Sequence, residues 1–324
     1  MNECRIILAL DPFEKRLKPT ALAMTELRYW ARKLSAKIQA IYALPESDQY
    51  PLFNHSYTRA YDLLKERVRE MELGVPVDIR VIWDRDALVS HPAELVADHA
   101  RVSGAHLILV SSHGRRWLSR IVLGSFAEKL LGVSPIPVLF FGHLPDPHES
   151  LRRMMFTTDF SESSRIAFEI FLEQVKPISP EVILFHAASY PNLITGMTLT
   201  GVGAYLPEEY WKVMKESLYH EGENWVKIAE AHGIRARAMI SEGIGDVAGS
   251  ILRIAREERV SVIGLSSLRS EWQKAVFGSV STHIFRDHRH SVWVCGPRVL
   301  ESERLRTPKT SSLGYNASAA PPEP

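Results

Sequence analysis

The chain has 324 residues, 45% of them apolar and 24% charged, enough for two globular domains of about 150 residues, each with its own core. A formal net charge of +1 excludes a dedicated nucleic-acid binder, which would carry a strong basic excess. Met1 to Leu10 lacks a basic segment followed by a long apolar one, and no apolar run approaches the ~20 residues of a membrane span. A cytoplasmic protein without a leader peptide or membrane contact is therefore expected.

In chain order, the first apolar run is Arg5-Ile6-Ile7-Leu8-Ala9-Leu10, ending at Asp11-Pro12-Phe13-Glu14. A helical segment follows, with Ala23, Leu27, Trp30, Ala31 and Leu34 on one face. Next come a strand at Ile38 to Leu44, an amphipathic stretch at Tyr57 to Leu73, and strands at Val77 to Trp83, His106 to Val110 and Val138 to Phe141. Pro145, Asp146, Pro147 and His148 cluster between Leu144 and Leu151 and mark a domain boundary.

The second half repeats this order. Arg153-Met154-Met155-Phe156-Thr157-Thr158-Asp159-Phe160-Ser161-Glu162 restates the opening, with Asp at the end of the apolar run and Glu three residues later. Strands are expected at Val182 to Ala188, Ala236 to Ile240, Ser261 to Leu265 and Val292 to Cys295. Between the first two lies Pro207 to His232, with Trp211, Met214, Leu218, Trp225 and Ile228 at helical spacing. Strands apolar throughout and alternating with helices predict a parallel sheet covered on both faces. Each half reads as β-α-β-α-β-α-β-α-β. The expected domains are 1–144 and 151–299, followed by a disordered tail at 300–324 that lacks periodicity and apolar mass. Cys4 and Cys295 both fall within strand-like runs, which suits buried thiols in a reducing compartment rather than a disulfide.

The segment richest in chemistry runs Ser111-Ser112-His113-Gly114-Arg115-Arg116-Trp117-Leu118-Ser119-Arg120, then Ile121-Val122-Leu123-Gly124-Ser125. A strand ends, a glycine turn opens a basic loop, and Gly124-Ser125 begins the next helix. In an open parallel sheet, ligands bind at the carboxyl ends of strands where the strand order reverses. A helix N-terminus there presents free N–H groups and a positive dipole end. Gly114 and Gly124 leave room for close backbone approach, and Arg115, Arg116 and Arg120 add positive charge. These features together describe an anion cradle.

This stretch resembles the universal stress protein family, whose ATP-binding members carry a glycine, two residues, a glycine, nine residues, then Gly-Ser or Gly-Thr. Gly114, nine residues and Gly124-Ser125 match that pattern, and Ser111 stands where the first glycine would be. The resemblance covers nearly all of 3–142 and, less closely, 152–297. It implies two tandem α/β domains, each an open five-stranded parallel sheet of the adenine-nucleotide-binding, Rossmann-like kind, paired through their last strands. It further implies that Asp11 lies near adenine and ribose, that the backbone at Ala43 meets the adenine edge, and that Gly114, Gly124 and Ser125 face phosphates and ribose. Ser111, His113 and Arg115 complete the candidate set. In the second half Gly278-Ser279 survives, but counting back puts Leu265 and Leu268 at the upstream glycine positions. Leucine does not readily take positive φ and fills space that phosphates need. ATP is therefore expected in the first domain only, with Mg²⁺ on its phosphates.

Simpler readings stand beside these. Asp11 with Glu14, Asp159 with Glu162 and Ser125 with Glu128 each have capping-box spacing. His283, Asp287, His288 and His290 lack the spacing of a metal site, and Gly201-Val202-Gly203 lacks the third glycine of a dinucleotide fingerprint. The segment from Ser189 to Leu206 is either a ligand lid or a connection packed across the domain interface. Three functions follow. The first is a stress-response regulator that binds an adenine nucleotide and presents a changed surface to a protein partner. The second is a scaffold without nucleotide, working through intrachain pairing or a homodimer. The third is a slow ATPase, for which no nucleophile arrangement or Walker lysine is present; no catalytic residue and no metal ligand is expected.

Overall fold

The computed structural model describes residues 4–13, 21–45, 53–84, 91–111, 125–142, 152–189, 208–243, 246–266, 279–287 and 289–306. The first half comprises β1 (Arg5–Ala9), α1 (Ala21–Lys33), β2 (Lys37–Ala43), α2 (Phe53–Glu70), β3 (Val77–Ile82), α3 (Pro92–Val102), β4 (Leu107–Ser111), α4 (Ser125–Val133) and β5 (Val138–Phe141). The second comprises β6 (Arg153–Thr157), α5 (Glu162–Val175), β7 (Glu181–Ser189), α6 (Glu208–Ala231), β8 (Ala236–Gly243), α7 (Val247–Glu257), β9 (Val262–Ser266), α8 (Ser279–Arg286), β10 (Ser291–Cys295) and α9 (Pro297–Arg306).

All ten strands form one sheet in the order β3-β2-β1-β4-β5-β10-β9-β6-β7-β8. Neighbours within each half are parallel, and the one antiparallel pair among the described residues, β5 with β10, joins the halves. The expected tandem of five-stranded sheets paired through their last strands is thus present, as one continuous sheet.

The strands are apolar throughout because both faces are covered. Along β1, Ile6 and Leu8 enter a core beneath α1, α2, α5, α6 and α9, while Ile7 and Ala9 enter the opposite core beneath α3, α4, α7 and α8. Trp30, Trp225 and Trp293 belong to the first of these cores. Helix α3 shows how locally its start is specified: His91 and Glu94 form a capping box, and Pro92 supplies the preset φ of the first turn.

The junction is specific. Phe140, Leu139 and Val138 lie opposite Val292, Trp293 and Val294. The Gly142 N–H donates to Ser291 Oγ at 3.0 Å, and Phe140 meets Phe285 edge-on at 5.2 Å. The Gln174 side-chain amide donates to the His106 carbonyl at 2.6 Å, a second tie between the halves.

The chain end differs from expectation. The second domain does not stop at residue 299: α9 continues to Arg306 and buries Val299 and Leu300 against the first core. Two buried apolar residues in one turn are too few to register as a helical period, yet Pro297 is well placed to open a helix. The rest of the expected tail, 307–324, lies outside the described residues. Both cysteines are free, Cys295 buried and Cys4 half-buried, and burial pushes both thiols above their ordinary pKa. No helix among the described residues is long and apolar enough to cross a membrane.

Candidate functional site

The strand order reverses between β1 and β4 in the first half and between β6 and β9 in the second, so each half has a crevice at the carboxyl ends of these strands. Register places Ala9 beside both Ile41 and Val110. Asp11, Ala43 and Ser111 therefore reach the same edge from three adjacent strands. Ser125 is the first residue of α4 and is exposed. His113, Gly114, Arg115 and Gly124 lie outside the described residues, with Arg116, Arg120 and the rest of 112–124.

Asp11 is exposed, and its Oδ1 accepts the Phe13 N–H at 3.0 Å in a local turn. Residues 14–20, which separate this turn from the described start of α1 at Ala21 and include Glu14 of the capping-box reading, lie outside the described residues. Ala43 is buried, with its strand paired to Ile82, so only its backbone is placed to meet a ligand edge. Phe13 packs edge-on against Tyr42 at 5.6 Å, and the Arg59 guanidinium stands 5.8 Å from the Phe13 ring centre. This aromatic pair with its cation was not anticipated from the sequence, because Arg59 comes from a helix far along the chain. The only local signal was an aromatic directly after Asp-Pro.

The second crevice is constructed differently. Superposing the registers makes Asp159 the counterpart of Asp11, and Ser266 the counterpart of Ser111. Counting back from Gly278 had put Leu265 at that place; Leu265 instead lies within β9, buried in the core. The count failed because the loop after β9 is one residue shorter than the loop after β4, measured to Gly278 and Gly124 respectively. Asp159 Oδ1 accepts from the Ser161 N–H at 3.0 Å and from Ser164 Oγ at 2.6 Å, and Ser164 Oγ lies 2.9 Å from Ser266 Oγ. The cap of α5 is Ser161 rather than Asp159, taking the Ser164 N–H at 3.2 Å. Phe160, at φ 59°, stacks on His186 at 4.8 Å and meets Trp225 at 5.5 Å. Asp159, Ser161, Ser164 and Ser266 are thus linked to one another at this crevice.

Burial raises the Asp159 pKa, but hydrogen bonds from Ser161 and Ser164 outweigh it and hold the carboxyl below its ordinary 3.8. A depressed pKa adds stability above the unfolded value and loses it as pH falls through the folded value. The stability gap between wild type and Asp159→Asn should therefore hold steady from about pH 7 to about pH 5 and narrow toward about pH 3. Urea midpoints of both proteins across that range test this; a gap that stays constant to about pH 3 would show that the carboxylate charge contributes nothing.

Among the described residues, no group of three or more His, Cys, Asp or Glu side chains converges as for a metal ion. His290 pairs with Asp287 at 3.1 Å, and that hydrogen bond holds the Asp287 carboxyl below its usual range despite burial. His288, Gly201-Val202-Gly203 and the segment after Ser189 lie outside the described residues.

Comparison with known proteins agrees with this architecture. The model of the universal stress protein family matches the chain twice, over residues 5–141 and 150–296. A universal stress protein from Archaeoglobus fulgidus DSM 4304 superposes with a TM-score of 0.64 at 18% identity, covering 91% of this chain and 99% of that one. A functionally unknown protein from Pseudomonas aeruginosa PAO1 gives a TM-score of 0.61 at 14% identity, covering 93% and 95%. These two likenesses concern the fold. The stress response protein NhaX of Bacillus subtilis is 39% identical over 56 residues, a stretch that spans 17% of this chain and 34% of NhaX. With both halves matched by the family model and joined edge to edge in one sheet, the chain belongs to the universal stress protein family as a tandem, two-domain member.

Proposed function

We propose that this stress-response protein is a regulator that binds ATP, with Mg²⁺ on the phosphates, in its first half only. The observation carrying this reading is the contrast between the two crevices. Asp11 and Asp159 are both exposed and each accepts the N–H two residues on, but Asp159 also accepts from Ser164 Oγ, which in turn lies 2.9 Å from Ser266 Oγ. The exposed Ser125 at the start of α4 supplies a helix N-terminus of the kind that suits phosphate. Binding would shift the population of the 112–124 loop and so the surface offered to a protein partner. No turnover is proposed. The competing scaffold reading draws on Ser111, which stands where ATP-binding relatives carry glycine, and on the internal β5–β10 pairing.

Purified protein, denatured and chromatographed, should release adenine nucleotide near one per chain, and ATP with Mg²⁺ should raise Tm. Gly124→Asp, which blocks close backbone approach, should weaken ATP by about tenfold or more. Absence of nucleotide, together with no Tm shift at saturating ATP, would favour the scaffold. Unchanged affinity in Gly124→Asp would remove the loop from the site.

A further inference from the structure

At the opposite end of the sheet from Asp11, the amino ends of β1, β2 and β3 and the last turn of α3 enclose a cleft of about 330 Å³. Three cations line it, Arg5, Lys37 and Arg80, against one carboxylate, Asp78. Asp78 is already engaged: its Oδ2 accepts from the Gln39 amide at 2.5 Å and from Arg80 Nε at 3.1 Å. Gln39 is buried, and its Oε1 lies 2.5 Å from His99 Nε2. Arg5 donates through Nη1 to the Ser103 carbonyl at the end of α3.

The second half provides an internal control. Register pairs Arg5 with Lys37 and Gln39 with Asp78; it pairs Arg153 with Glu181 and Ile183 with Arg237. Ser103 and Glu258 are the C-terminal caps of the corresponding helices α3 and α7. The second half therefore sets two arginines against two glutamates at these four positions. Arg153 meets Glu181 at 3.0 Å and Glu258 at 3.5 Å, while Arg237 meets Glu181 at 3.1 Å and Glu258 at 2.5 Å. That network is closed and neutral. In the first half Lys37 and Ser103 replace the two glutamates, so Arg5 stands in register with a second cation. Arg80, at the place of Met239, adds a third.

We propose that this cleft is a second ligand site, binding a small phosphate-bearing anion through Arg5, Lys37 and Arg80. Among the lining residues three cations stand with one carboxylate, a positive balance that suits a phosphate anion. Guanidinium forks suit phosphate oxygens, and the volume admits a phosphate carrying a few further atoms. Burial first, then the fields of Arg80 and Arg5, lower the His99 pKa, so its ring is a neutral neighbour of the anion and not a further cation. The site is independent of the nucleotide reading, being at the other edge of the strands.

The test is calorimetric titration of the full chain with inorganic phosphate and with glycerol phosphate. The wild type should bind; Lys37→Gln should weaken binding by about tenfold. Lys37→Glu with Ser103→Glu, which installs the acids of the second half, should abolish it. The ring signals of His99 should shift on titration of the wild type. Equal affinity for both compounds would assign free phosphate, and tighter binding of the ester would assign a phosphorylated metabolite. No binding of either compound, or equal affinity in wild type and Lys37→Gln, would overturn the proposal even if the double variant does not fold. ATP affinity in these variants should match wild type, whereas Gly124→Asp should leave phosphate binding intact, so the two sites fail separately.

Discussion

Trp293→Ala is expected to destabilise the protein by about 3–5 kcal/mol, the range for deleting a large aromatic from a packed core. Trp293 is 0% exposed, with Phe171 at 5.2 Å and Phe156 at 6.4 Å, so the indole fills the space between the sheet and α5. Its Nε1 donates to Gln174 Oε1 at 2.8 Å, and the Gln174 amide in turn donates to the His106 carbonyl of the other half. Truncation therefore opens a cavity and releases the group that positions a cross-domain hydrogen bond. Trp293→Phe separates the two effects. It retains most of the buried area, leaves Gln174 Oε1 without its donor, and should cost about 1–3 kcal/mol. Chemical denaturation followed by circular dichroism gives both values. A loss under about 1 kcal/mol for the alanine variant would mean that the junction core is not packed as described.

Gly142→Ala should cost about 3 kcal/mol, at the upper end for overpacking, although it adds one methyl group. A Cβ at this position would overlap the His290 carbonyl group and lie 2.7 Å from the Ser291 nitrogen. These are backbone atoms, which cannot rotate aside as a side chain can, so relief requires β5 and β10 to separate. That motion would also break the buried bond from the Gly142 N–H to Ser291 Oγ. The wild type should unfold with its halves coupled, and the variant should show two separate transitions in scanning calorimetry. Gly104→Ala is the control: φ there is +64°, nothing lies within 4 Å of a built Cβ, and the cost should stay near 1 kcal/mol. Equal losses at the two glycines would show that the close approach at Gly142 does not matter.

Most of the architecture was legible in the residue pattern. Runs such as Ile6 to Leu10 and Val182 to Ala188, apolar on both pleat faces, can only belong to strands covered by helices on both sides. The repeated apolar run ending in Asp identified the duplication and the strand ends where Asp11 and Asp159 stand. Those properties are local, arising from period, propensity and turn chemistry within a few residues. The roles of the two aspartates were not legible. The same Asp-x-x-Glu spacing yields a turn at Asp11 and a serine-linked network at Asp159, because Ser164 and Ser266 reach it from α5 and β9. Nor was α9, whose helix is secured by burying Val299 and Leu300 against a core built elsewhere.

The basic cleft shows the same division. The residue string supplied Arg5, Lys37, Asp78, Arg80, His99 and Ser103 as unrelated surface positions scattered along the first domain. Parallel pairing of β1, β2 and β3 brings them together, because register sets which side chains share an edge and sequence distance does not. Local pattern is sufficient for strands, helices and their order. The sum of charges at one place in space depends on strand pairing, and only the folded sheet sets the neutral network of the second half against the cationic cleft of the first.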